Sequence, residues 1–179
     1  MSDGVLSDFP THFGESIPLF QPNGSLPPGD FAPSRHEFES RFVYTGDVSQ
    51  RGRIYEGWNI HREELMRAGI PVRALQLVNG SYTTSKLSPG DVDVAVEVPV
   101  EYAVLRSMQP DHPVLRLFLG SYIRAIYHCD AYPIYSLPKN DPLYDCVTAE
   151  AIRYWSKWFG RDRAGNPKGR VWATTGGLA

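Results

Sequence analysis

The sequence predicts an α+β (α/β) fold: a small mixed β-sheet with helices packed on it and an extended arm at the N-terminal end. Three observations predict it. Two short apolar runs, Ala74 to Val78 and Val94 to Val98, flank a polar loop and read as a pair of strands. From Ser49 to Ala68, Ile54, Trp58, His61 and Leu65 recur at helical spacing, which makes a helix able to cover one face of a sheet. Residues 1–33 carry six prolines and four glycines and no Lys or Arg, a composition that resists regular structure.

Length and composition limit the function classes. At 179 residues the chain suits one domain with an adequate core. Hydrophobic residues make up 42% and charged residues 21%, ordinary for a globular protein, and a net charge of −2 gives no global field toward nucleic acid or membrane. No apolar run is long enough to span a bilayer, and Met1-Ser2-Asp3-Gly4 lacks the basic start of a signal peptide. Cys129 and Cys146 have no metal-ligand spacing and read as reduced packing residues. The expected location is therefore cytoplasmic, with no membrane partner.

In chain order, the arm (1–33) contains Phe9, Phe13, Ile17, Leu19, Phe20 and Phe31, too apolar for a free tail. It is expected to pack on the domain or on a neighbouring subunit, a route to an oligomer. A domain at 34–172 follows. Ser34-Arg35-His36-Glu37 has the capping-box pattern and opens a short helix to about Phe42. The 49–68 helix ends at Gly69, and His61 on its stripe reads as a hydrogen-bonded core residue.

Beyond Pro99, a short helix at Glu101 to Met108 stops at Gln109-Pro110, and Asp111 is expected to cap a helix from Pro113 to Tyr127. Cys129 to Leu137 reads as a third strand, with Asp130, Tyr132 and Ile134 on one face and Pro133 marking an edge or a bulge. Thr148 can cap a helix to Phe159 with Gly160 just beyond it, and the chain closes with a turn and a strand ending at Trp172. Residues 173–179 are expected to fray.

The chemistry concentrates in Gly80-Ser81, nine intervening residues, and Asp91-Val92-Asp93-Val94. Strand alternation sets Asp91 and Asp93 on one face and turns Val92 and Val94 into the core. Adjacent carboxylates raise each other's pKa, and a divalent ion relieves them. Mg²⁺ takes one or two carboxylates together with substrate phosphates, so a carboxylate pair beside a Gly-Ser turn suits a nucleoside triphosphate. Gly80 permits close backbone approach and Ser81 adds a hydroxyl and an amide. A solvated hairpin turn would account for either aspartate alone; the combination favours a nucleotide and metal site.

Gly80-Ser81 with Asp91-Val92-Asp93-Val94 resembles the signature of the nucleotidyltransferase superfamily, the fold of the DNA polymerase beta catalytic domain. Leu26-Pro27-Pro28-Gly29, Glu37-Phe38, Gly80 to Lys86, Pro89 to Asp93, Phe159 to Arg163 and Pro167-Lys168-Gly169 are similar to an uncharacterised bacterial and phage family of minimal nucleotidyltransferase-like proteins, over about residues 26–172. The resemblance implies a nucleotidyltransferase-like fold, with Asp91, Asp93 and a third carboxylate on a neighbouring strand, for which Asp130 is the candidate. These three would be catalytic and would hold Mg²⁺ or Mn²⁺; Gly80, Ser81, Lys86 and Lys168 would seat and neutralise the triphosphate.

Between Arg153 and Arg170 stand six cations and a single acid, Asp162, a stretch suited to triphosphate or RNA backbone, or to a solvated surface. Hydrolase elbow, phosphate-loop, dinucleotide and zinc-helix motifs are all missing from the sequence. The expectation is a metal-dependent transfer of a nucleoside monophosphate from an NTP to an acceptor hydroxyl on RNA or protein. Its alternative is a non-catalytic binding or regulatory protein of the same fold, of the kind found in toxin-antitoxin or phage-host conflict systems.

Overall fold

Four valines, Val92, Val94, Val96 and Val98, alternate along one strand with Asp93, Ala95 and Glu97, so that strand carries two different faces and both must be covered. The computed structural model describes residues 16–178. The strands Asp30–Phe31 (β1), Leu75–Asn79 (β2), Val92–Pro99 (β3), Cys129–Ser136 (β4) and Arg170–Thr174 (β5) form one sheet in the order β1-β5-β2-β3-β4. β2 runs antiparallel to β3 and to β5, whereas β3 pairs parallel with β4 and β1 parallel with β5. The helices are Arg35–Phe38 (α1), Val48–Arg67 (α2), Tyr102–Ser107 (α3), Pro113–Arg116 (α4), Gly120–Tyr127 (α5) and Glu150–Phe159 (α6). The fold is thus α+β with a mixed open sheet. No helix among the described residues is long and apolar enough to cross a membrane.

The valine face meets Phe38, Phe42, Ile54, Trp58 and Leu65 from α1, α2 and the π-helical turn Glu39–Val43. All five side chains are aromatic or long aliphatic groups, and the 3.6-residue period of α2 brings Ile54, Trp58 and Leu65 to one stripe. Ser34 Oγ accepts from the Glu37 N–H at 3.3 Å, and Asp47 caps α2 by accepting from Gln50 N–H at 3.0 Å. The opposite face, Leu77, Ala95, Ile134 and Trp172, is covered by Ile152 and Phe159 of α6. Pro133 sits on β4, which is an edge strand, where its missing N–H goes unused. His61 is fully buried with Nε2 2.9 Å from the Leu117 carbonyl, as a core histidine should be.

Several boundaries differ from the sequence reading, each for a local reason. The expected 113–127 helix is broken into α4 and α5, because the chain tightens into i→i−3 bonds at Leu117 and Phe118 and the Leu117 carbonyl turns to His61. His112, not Asp111, caps α4, accepting at Nδ1 from Val114 N–H. Gly120-Ser121-Tyr122 accordingly opens α5 instead of lying in mid-helix.

Thr148 does not cap α6. It is buried in the turn Asp145–Ala149, donating to the Tyr135 carbonyl and accepting from Leu137 N–H, so it ties α6 to the end of β4. Cys129 is buried but Cys146 is exposed, and both are free thiols. The chain does not fray after Trp172: Ala173 and Thr174 pair with Gln76 and Leu75, and Thr175 N–H donates to Ala74 O.

From the arm, β1 joins the sheet. Asp30 accepts two bonds from the Arg170 guanidinium, at 2.8 and 2.6 Å, and one from the Trp172 indole at 2.6 Å. Residues 1–15, where much of the arm was expected, and Ala179 lie outside the described residues.

Candidate functional site

The site is built on the turn where β2 ends. Asn79 donates through Nδ2 to the Phe159 carbonyl at the end of α6, and its Oδ1 accepts from Gly80 N–H at 2.7 Å. Gly80 has φ +83°, and a Cβ added there would lie 1.8 Å from Asp93 Oδ2. Glycine is required twice over: for the left-handed backbone and for the carboxylate packed against it. The Ser81 carbonyl accepts from the Thr84 hydroxyl at 2.7 Å, which closes the turn.

Past the turn, the loop is organised by Arg51 of α2, which is 1% exposed. Its guanidinium donates to the carbonyls of Phe42, Tyr82, Thr84 and Lys86 and lies over the buried Tyr82 ring, while the Tyr82 hydroxyl donates back to Arg51 O. Three loop carbonyls and that of Phe42 on one cation tie this loop to the helices beneath it.

Asp93 stands opposite Asn79 on one side and opposite Asp130 on the other, the latter in the parallel ladder of β3 and β4. Asp91, two residues earlier, shares the strand face of Asp93. Arg124 of α5 bridges two of the three carboxylates: Nη2 donates to Asp130 Oδ2 at 2.5 Å, and Nε lies 3.2 Å from Asp91 Oδ2. Asp93 is left without a hydrogen bond or ion pair among the described residues. Its pKa is pushed up to about 6, first by burial and then by repulsion from Asp91 and Asp130, with Lys168 and Arg124 acting the other way.

Lys168 is the counter-charge nearest in kind to a partner. Burial lowers its pKa, and the attraction of Asp93 and then Asp162 opposes that fall. Its N–H donates to Gly160 O, which fixes the strand approach to α6. Beside it opens a cleft of about 280 Å³ lined by Lys157, Arg161, Lys168 and Arg170 against Pro28 and Gly29 of the arm. Positive groups therefore line one side of the site and carboxylates the other.

Of the residues singled out from sequence, Gly80, Ser81, Asp91, Asp93, Asp130 and Lys168 are gathered in this region. Lys86 is not. Its side chain is exposed on the loop, and only its carbonyl and N–H are held, by Arg51 and by the Thr84 hydroxyl. Arg124 and Arg51 carried no motif signal, since one lies in an apolar helix and the other in the first turn of α2; only the tertiary fold joins them to the site.

All three carboxylates offer oxygen donors of the hard type that Mg²⁺ or Mn²⁺ takes, and an unpaired, half-buried Asp93 is the group a cation would relieve. In the arrangement described, Arg124 engages the other two, and among the described residues no group of three or more His, Cys, Asp or Glu is disposed to hold a metal ion. The donors suit the ion in kind, with Arg124 as its rival.

Residues 18–174 match the model of a family of unknown function, DUF6932. The chain belongs to this family. The DUF6932 match runs from before β1 to the last residue of β5, so it takes in the arm strand, the Gly80 turn, all three aspartates and the basic cleft. No curated protein and no solved structure matches the chain.

Proposed function

We propose that this DUF6932 protein is a nucleotidyltransferase that moves a nucleoside monophosphate from an NTP to an acceptor hydroxyl. The observation that carries the reading is the side-by-side register of Asp93 and Asp130, with Asp91 on the same face and the Gly80-Ser81 turn against it. Under this reading the protein works in the cytoplasm. Asp91 and Asp93, with Asp130, would hold Mg²⁺ or Mn²⁺, which supplies charge neutralisation and Lewis acidity at the phosphates.

The chain's own groups do the rest. Gly80 lets the backbone approach a phosphate, and the Ser81 hydroxyl and amide are donors to it. The β- and γ-phosphates are balanced by Lys168 and the cations of its cleft, a role that Lys86 is too remote to share. Asp130 takes the proton of the acceptor hydroxyl. The acceptor oxygen then bonds to the α-phosphorus as the bond to the bridging oxygen breaks, and pyrophosphate leaves with that electron pair.

A second reading, a non-catalytic binding or regulatory protein, is favoured by one observation: Arg124 already neutralises Asp91 and Asp130. The two readings part in a direct experiment. Thermal melting with each Mg–NTP, beside incubation with α-labelled NTP and cellular RNA or protein, should give a stabilised protein and labelled acceptor, both lost in Asp93→Asn. Stabilisation without label under any nucleotide or metal would select the non-catalytic reading; neither effect would remove the nucleotide site altogether.

A further inference from the structure

α6 packs Ile152 and Phe159 on the sheet, and Trp155 stacks on Tyr132 of β4 with ring centroids 4.4 Å apart. Its two remaining aromatic residues are left outside that contact. Tyr154 and Trp158, one helical turn apart, are 55% and 65% exposed. Their planes lie within 8° of parallel, with centroids 6.2 Å apart, and the Tyr154 ring is braced edge-on by Trp155 at 5.0 Å. The two rings are therefore aligned with one another while more than half of each remains open to solvent.

The surroundings indicate what would cover them. Besides the two rings, the exposed positions of this helix are Glu150, Arg153 and Lys157, with Arg161 exposed just beyond its end, three cations against one acid. Arg153 is shared with Glu150 at 2.9 Å, whereas Lys157 makes no ion pair or hydrogen bond among the described residues. The chain as a whole carries −2, so this positive charge is local to α6 and its cleft. Parallel aromatic faces beside an unpaired lysine and the exposed Arg161, whose Nη1 also donates to Gly165 O, fit a polyanion that carries flat rings of its own.

We propose that the outer face of α6 is a contact surface for single-stranded nucleic acid, with bases stacking on Tyr154 and Trp158 and phosphates meeting Lys157 and Arg161. Base-on-aromatic stacking is tolerant of sequence and needs unpaired bases, so a duplex is a poor ligand for it. Lys157 and Arg161 also line the cleft that holds Lys168, which connects the platform to the carboxylate site. If nucleotidyl transfer is the activity, the acceptor is the end of an RNA strand and not a protein or a small molecule. That assignment of the acceptor rests on the function proposed above; the binding surface does not.

The experiment is fluorescence anisotropy of the whole chain with labelled 12-nucleotide oligouridylate, single-stranded DNA of equal length and a blunt duplex, across a salt series. Single strands should bind and the duplex bind more weakly. Trp158→Ala should weaken binding about tenfold and Tyr154→Ala with Trp158→Ala further. Lys157→Ala should flatten the dependence of log affinity on log salt by about 0.7. The two aromatic variants should keep the wild-type Mg–NTP thermal shift, and Asp93→Asn should keep oligonucleotide binding.

No binding of single strands, undiminished binding by the double aromatic variant, or a duplex bound as tightly would overturn the proposal. So would a wild-type dimer in sedimentation that Trp158→Ala converts to monomer, since the rings would then be an interface between copies. Oligonucleotide binding without any Mg–NTP shift would sink the transferase reading and leave the platform standing. A Mg–NTP shift without oligonucleotide binding would do the reverse.

Discussion

Asp93 and Asp130 are direct partners in the parallel ladder between β3 and β4, so the backbone itself holds two carboxylates side by side. A third, Asp91, follows from strand alternation, and the cation that compensates them, Arg124, comes from the helix that leads into β4. Local sequence supplies the acids, and chain crossover supplies their neighbours.

The unpaired member of this group should make stability depend on pH. Because the folded-state pKa of Asp93, about 6, lies above the unfolded value, the native protein binds the proton more tightly. Its contribution is therefore present below about pH 4 and lost as pH rises through about 6. In a metal-free buffer, Asp93→Asn should be more stable than the wild type at pH 7 to 8, and the gap should close toward pH 4. Urea midpoints measured across that range give the answer, and a constant gap would mean that Asp93 titrates normally.

Arg124 should compete with divalent ions for Asp91 and Asp130. Its guanidinium is about half exposed but its partner Asp130 is buried and would lose its counter-charge, so Arg124→Met should cost about 1 to 3 kcal/mol of stability. The same change should tighten binding of Mn²⁺ alone several-fold, read by titration calorimetry. Weaker Mn²⁺ binding would instead make Arg124 the group that positions the carboxylates for the ion.

Gly80→Ala should destabilise the protein by about 2 kcal/mol or more, since it adds left-handed strain to a clash with the Asp93 carboxylate. Truncating the obstruction tests the cause. In a double-mutant cycle, Asp93→Ala should recover part of the loss, and strict additivity would leave backbone strain as the whole effect.

Arg51→Met should be the most damaging of these substitutions, about 3 kcal/mol or more by chemical denaturation. It strands the carbonyls of Phe42 and Tyr82 in a buried setting and releases those of Thr84 and Lys86, which are partly buried. The loop should also gain amide exchange from Tyr82 to Lys86 at denaturant concentrations well below global unfolding. A loss under about 1 kcal/mol would mean that water replaces the guanidinium without difficulty.

What the sequence determined by itself was whatever depends on near neighbours. The period of two along Val92 to Val98 set the two faces of β3, and the period of 3.6 from Ile54 to Leu65 set the buried stripe of α2. Ser34 and Glu37 marked the start of α1, and Pro133 marked an edge or a bulge, of which the structure has the edge; each is a statement about the hydrogen bonds of a few consecutive residues. The Gly80 turn and the Asp91, Asp93 pair were legible for the same reason.

Tertiary structure alone decided the rest, because it depended on groups far apart in the chain. His61 reaching Leu117 helped break the 113–127 segment in two, and Thr148 served the end of β4 instead of a helix cap. Trp172 did not end the sheet, since β2 offered partners to Ala173 and Thr174. At the site, Lys86 lay close in sequence yet pointed to solvent, while Lys168, seventy-five residues from Asp93, became its counter-charge. Charges act through space with little regard for chain order, so the acids could be read from spacing, whereas Lys168 was named only through the family resemblance and Arg124 by nothing in the sequence.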